Sequence, residues 1–169
     1  MALYHDLYRL NTSITGWHVR VKMLRIFQVS TFSLGKSLGL ILVDEKGEKV
    51  EAFVDKAYAN YYLEFLEEDS WYTIMKFKVF LNNGPIKLTK SLFNIGFLND
   101  SIVKDCDLLN DCFYATFTPF GAILNGTTDH SYLIELVGYV VKAGELTYVD
   151  PQPIELSGYR LSFVLKDKE

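Results

Sequence analysis

The sequence predicts an all-β chain: a closed five-stranded barrel with one short helix between its third and fourth strands, followed by two further strands. Three observations predict it. Valine, isoleucine, tyrosine and phenylalanine are abundant and alanine is scarce, a balance that fits pleated, half-buried surfaces better than helices. Strand-like runs, most of them alternating with period two, recur along the first hundred residues, separated by turn residues. The one segment with helical spacing falls between the third and fourth of those runs.

From Trp17 to Val29, apolar Trp17, Val19, Val21 and Met23 alternate with His18, Arg20 and Lys22, so one face of a first strand is buried. The alternation slips near Leu24, which predicts a bulge or a strong bend. Ser30 to Ser37 reads as a polar loop containing Gly35 and Lys36. Leu38 to Val43 is nearly all apolar and reads as a central strand, and Asp44-Glu45-Lys46-Gly47 as a hairpin turn. Lys49 to Asp55 alternates again, with Val50, Ala52 and Val54 on one side and Lys49, Glu51, Phe53 and Asp55 on the other.

Ala57 to Glu68 is the expected helix, with Tyr58, Tyr61, Tyr62, Phe65 and Leu66 at helical spacing. Glu67-Glu68-Asp69 at its C-terminus opposes the helix dipole, so the helix is expected to be short. Trp71 to Leu81 alternates along its whole length: Trp71, Thr73, Met75, Phe77, Val79 and Leu81 are expected on one side, and Ile74, Lys76, Lys78 and Phe80 on the other. Asn82-Asn83-Gly84-Pro85 is a turn, and Ile86 to Phe97 a less regular fifth strand. Closing these five strands into a barrel removes most of the edges an open sheet would leave. A helix between the third and fourth of five strands is the element order of an oligonucleotide/oligosaccharide-binding (OB) barrel.

The domain reading is residues 1–99 as that barrel, 100–130 as a linker, and 131–169 as a truncated second domain. In the last part, Ser131 to Val149 and Gly158 to Leu165 read as two strands, which cannot close a barrel by themselves.

Net charge is −4, a mild argument against a nucleic-acid partner, but the charge is uneven. Residues 1–99 carry 12 Lys+Arg against 10 Asp+Glu, and residues 100–169 carry 5 against 11, so a phosphate-binding surface belongs in the first part. Cys106 and Cys112 form no CxxC pair, and His130 is a poor third ligand, so neither a zinc site nor any other cofactor is expected. The apolar runs are too short to span a bilayer, no membrane association is expected, and an intracellular, reducing compartment is the default. No nucleophile elbow, metalloprotease motif, P-loop or dinucleotide fingerprint is present, and the histidines are scattered. The chain is therefore not expected to be an enzyme.

Trp17-x-Val-Arg-Val, Leu40 to Gly47, Val50-x-Ala52, Trp71-Tyr72 and the Asn83-Gly84 turn together resemble the first DNA-binding OB domain of replication protein A large subunits, closest to short paralogues of the plant branch. The resemblance covers about residues 4–99 and continues beyond them. Phe117 to Ile123 is similar to the family's inter-domain linker, Leu133 to Val141 to the opening strand of its second OB domain, and Tyr159 to Asp167 to the next strand. It implies sequence-independent binding of single-stranded DNA in replication, repair and recombination, and a nuclear location. RNA, other replication protein A subunits and self-association stay open as partners.

Such binding needs a cationic groove that follows phosphates and aromatic faces on which bases stack. The OB groove lies across the second and third strands, flanked by the loops between strands one and two and between strands four and five. On the non-core sides the candidates are Phe53, Phe80, Lys76 and Lys78, with Lys36 in the first loop, Lys49 beside the second turn, Ile86 and Lys87 after the last hairpin, and Arg20, Lys22 and Arg25 along the first strand. The resemblance places one stacking aromatic at Phe53 and a second where this chain has Ile86, a departure that removes one platform. Phe53 and Phe80 also fit as packing residues, and Lys76 and Lys78 as the solvated face of an amphipathic strand. Glu51 and Asp55 lower the positive potential near Phe53. A degenerate OB module that binds proteins instead of DNA is the alternative.

Overall fold

The computed structural model describes residues 4–30, 36–84, 87–107, 109–110, 112–148 and 159–167. Among the described residues, strands β1 (His18–Ser30), β2 (Lys36–Val43), β3 (Lys49–Val54), β4 (Trp71–Leu81), β5 (Phe93–Asp105), β6 (Tyr139–Tyr148) and β7 (Tyr159–Lys166) are accompanied by helices α1 (Lys56–Leu63) and α2 (Phe120–Leu124) and a 3-10 turn, Leu7–Arg9. The chain divides into two compact units: Met1–Tyr114 with Asp129–Leu133, and Ala115–Thr128 with Ile134–Glu169.

The first unit is a closed barrel in the order β1-β2-β3-β5-β4. All pairings are antiparallel except β3 with β5, and α1 lies between β3 and β4. This is the OB architecture expected from the element order. The inward alternation of each strand supplies the core: Val19, Val21 and Met23; Leu38, Leu40 and Leu42; Val50, Ala52 and Val54; Ile95 and Phe97. Ala59, Tyr62 and Leu66 add a helical contribution, with the Tyr62 ring 5.1 Å from Phe97 in edge-to-face contact. Burying each large aliphatic or aromatic side chain of this set contributes about 1.5–3 kcal/mol.

Two bulges redirect the strands. In β1 the register shifts between Met23 and Arg25, which leaves Leu24 as the extra residue and turns the inward phase from odd to even positions. In β4 it shifts between Met75 and Phe77, with Lys76 at φ 55°. The unbroken alternation read for Trp71 to Leu81 is therefore corrected. The inward side runs Tyr72, Ile74, then Phe77 and Val79, and Ile74 is fully buried. Trp71 points outward yet is buried. Asn110 and Tyr114 lie against it, with the Tyr114 ring 6.4 Å away and the indole Nε1 donating to the Asn110 carbonyl at 3.4 Å.

The helix is shorter than its spacing suggested. Asp55 caps it by accepting from the Ala57 N–H at 2.9 Å, and it ends at Leu63. Beyond it the acidic run meets the bulge of β1: the Asp69 N–H donates to the Met23 carbonyl at 2.7 Å, and Glu68 accepts from the Ile26 N–H at 2.8 Å. Backbone groups freed by the bulge are thus satisfied by Asp69 and by Glu68, the residue that local spacing made the last of the helix.

The fifth strand also differs. It runs from Phe93 to Asp105, where the alternation suggested Ile86 to Phe97. Phe97 pairs with Phe77 and Ile102 with Met75, so Leu98 to Ser101 loop out opposite Lys76 before pairing resumes. Ser101 Oγ holds this excursion, donating to the Lys76 carbonyl and accepting from the Leu98 N–H, each at 2.7 Å. The polar Asn99-Asp100 pair reads locally as a turn, which is why residues 100–105 read as linker.

The second unit contains α2 and a two-stranded antiparallel sheet, β6-β7, the partial second domain. Nearly every described residue of both strands is exposed, including Tyr139, Leu146, Tyr148, Leu161 and Phe163. Cys106 and Cys112 are free thiols. No helix among the described residues is long and apolar enough to cross a membrane.

Asp44, buried in the β2–β3 turn, joins the chain's start to the barrel. Its Oδ2 accepts from the Leu7 N–H at 3.0 Å, and its Oδ1 from the Lys46 and Glu48 N–H groups at 2.9 and 3.0 Å. Replacing Asp44 with alanine leaves these donors unpaired, and is expected to lower stability by about 2–3 kcal/mol. The measurement is a reduced urea midpoint at unchanged slope.

Candidate nucleic-acid interface

Residues paired across a sheet share a face, so register alone shows which side chains the barrel's outer side brings together. Phe27 pairs with Gly39, Gly39 with Phe53, Phe53 with Gly96, and Gly96 with Lys78. One row thus crosses all five strands. At both glycines a Cβ would collide with an aromatic ring: that of Phe27 at Gly39, and that of Phe80, two residues along from Lys78, at Gly96. The two rings lie in space that any larger residue would occupy. Phe53 stands between the glycines and is 39% exposed; Phe80 is 41% exposed and Phe27 half-buried. Both exposures place the rings on the solvent side, away from α1 and the core.

Lys78 stands at the end of this row with its Nζ 5.0 Å from the Phe80 ring centroid, in cation–π range. Among the described residues no acid pairs with it. Most of the other expected cations are differently placed. Arg20 and Lys22 lie on the β1–β4 wall, opposite Thr73 and Trp71, and not on the β2–β3–β5 surface. Arg20 is bound to Glu45, its Nε donating at 3.0 Å, and its guanidinium lies 4.7 Å from the Tyr4 ring centroid. Lys22 is buried, with its Nζ 3.3 Å from Asp69. Arg25 is on the outer side, opposite Ile41, but 3.7 Å from Glu68. Lys76 is exposed in the bulge, 3.8 Å from Asp100, and outside the paired row. Lys49 pairs with Val43 at the far end of β3. Lys87 lies in the β4–β5 loop with its Nζ 6.0 Å from the Tyr132 ring. Only the backbone of Lys36 is described, and Ile86 lies outside the described residues.

Two residues of this surface escaped the sequence reading. Phe27 was legible in principle: carrying the inverted phase past Leu24 puts Arg25, Phe27 and Val29 outward. Glu51 was read as an exposed acid that weakens the local potential. It is instead buried beneath the β4–β5 loop, and its Oε1 accepts from Asn82 Nδ2 at 2.9 Å and from the Leu88 and Thr89 N–H groups at 2.8 and 3.2 Å. The carboxylate spends its charge on that loop and holds it against the outer side of β3, beside Phe53. On its other side the same loop is bound by the segment after α2: the Leu133 N–H donates to the Lys87 carbonyl at 2.9 Å.

A family profile described as "Domain of unknown function DUF223" matches residues 8–126. No curated protein sequence matches the chain. It is similar in structure to a replication protein A heterotrimer solved bound to single-stranded DNA, with a TM-score of 0.66 and 16% identity over 97% of this chain and 39% of that one. It is also similar to DNA-binding domain A of S. cerevisiae replication protein A, with a TM-score of 0.48 and 17% identity over 64% of this chain and 97% of that one. A third similar structure is Schizosaccharomyces pombe Pot1pC bound to single-stranded DNA, with a TM-score of 0.44 and 6% identity over 65% of this chain and 91% of that one.

Replacing Glu51 with alanine is expected to free the β4–β5 loop without opening the barrel. Amide exchange of Leu88 and Thr89 should accelerate roughly 5- to 150-fold, matching about 1–3 kcal/mol of lost hydrogen bonding. Exchange at Val19 and Val21 should stay unchanged.

Proposed function

The chain belongs to the DUF223 family, and from the outer row of its barrel we propose that it binds single-stranded nucleic acid without reading base sequence. The observation that carries this reading is the alignment of Phe27, Phe53 and Phe80 on one exposed face, with Lys78 beside them and, among the described residues, unpaired by acids. Aromatic faces accept any base, and a lysine next to them is placed to meet a phosphate. The row presents no hydrogen-bonding side chain other than Lys78, which supports tolerance of sequence. Single-stranded DNA in the similar heterotrimer supports DNA as the ligand, with RNA the competitor to test.

The finer reading is a replication-protein-A-type role in replication, repair or recombination, in the nucleus, in a short paralogue of the large subunit. The role is binding and not catalysis. Another subunit or a second copy would engage the exposed strands β6 and β7.

One observation favours a second reading, an OB module that binds protein. Arg20 and Lys22 lie on another wall of the barrel, and Arg25 and Lys76 each have an acid within ion-pair distance, which leaves the surface weakly cationic. Absence of oligonucleotide binding at low salt and micromolar protein would establish that reading.

With fluorescence anisotropy on a labelled oligothymidylate, Phe53→Ala is expected to weaken binding by about 1–3 kcal/mol, the worth of one stacked base. The slope of log affinity against log salt should be shallow, about −0.7 for each phosphate that meets a cation, with Lys78 the cation in the row. Lys78→Ala should reduce its magnitude by about 0.7. Neither change should move the urea midpoint by more than about 0.5 kcal/mol equivalent. Unfolding by either would refute the surface assignment.

A further inference from the structure

We propose that Phe27 is a third base-stacking platform, and that Gly39 and Gly96 are the residues that set the spacing of the three rings. The inference rests on the reading of the barrel as a single-strand binder and extends it to a residue on β1. The register is symmetrical about Phe53: Gly39 lies on one side and Gly96 on the other, and each is covered by a ring from the next strand out. Phe27 reaches over β2 and Phe80 over β5, so rings stand over three successive strands, β2, β3 and β5.

Adjacent strands are about 4.8 Å apart, which sets the step between rings. Residues of a duplex strand follow each other at about 3.4 Å along the axis. A continuous base stack therefore cannot meet all three rings at once, and a strand that does so must be opened out. The row is thereby matched to single strands and mismatched to a duplex. A side chain at either glycine would lift its ring off the sheet, so the two glycines act as positioning residues for the platform.

Cross-strand aromatic rings over glycine also stabilise sheets without any ligand. The test separates the two roles with the full chain and a labelled oligothymidylate of about a dozen nucleotides, within the range of OB site sizes. Phe27→Leu keeps an apolar side chain and loses the ring, whereas Phe27→Tyr keeps the ring. Gly39→Ala keeps the ring and moves it. Phe27→Leu and Gly39→Ala should each weaken binding roughly 5- to 150-fold, the worth of one base, while Phe27→Tyr retains the affinity of the unaltered chain. An equal affinity for Phe27→Leu and Phe27→Tyr, with Phe53→Ala weakened, overturns the third platform and leaves the wider reading standing. A fall in thermal midpoint shared by the Leu and Tyr variants, with equal losses of binding, overturns it as well. No binding by the unaltered chain overturns both.

Discussion

Two interruptions of strand alternation, at Leu24 in β1 and at Lys76 in β4, decide which side chains the barrel shows to solvent. Each adds residues to one strand that its partner does not match, so every position beyond it changes face. Without the first, Phe27 would enter the core in place of Ile26. Without the second, Lys78 and Phe80 would turn inward and Phe77 and Val79 outward. The outer row of rings exists because both strands change phase within the same closed sheet.

The bulges create a demand that shapes the neighbouring chain. A strand that leaves its partner exposes backbone N–H and C=O groups, which must find other partners when buried. Asp69 and Glu68 meet this demand beside β1, and Ser101 meets it beside β4. The acidic run after α1 is therefore part of the barrel's closure. Its carboxylates also lie against Lys22 and Arg25, which removes those cations from any ligand surface. One arrangement closes the barrel and pairs two of the β1 cations with acids.

Glu51 illustrates how position changes the meaning of a charge. On an open strand it would repel phosphate. Covered by the β4–β5 loop and accepting three N–H bonds, it becomes the anchor that builds one wall of the surface. Asp44 does the same for the chain's start at the opposite turn. Both carboxylates organise backbone in place of facing solvent.

The sequence by itself determined the order of the elements, the helix between β3 and β4, the inward residues of β3, and the side of β3 on which Phe53 lies, because alternation within a short strand needs no partner to be read. It also showed where β1 falters. Only the tertiary structure decided the ends of β5, the inward turn of Ile74, the pairing of Arg20, Lys22 and Arg25 with acids, and the covering of Gly39 and Gly96 by rings. These depend on residues far apart in the chain. A bulge is defined by the strand opposite, and an ion pair by what closure brings near, so neither leaves a mark in local spacing.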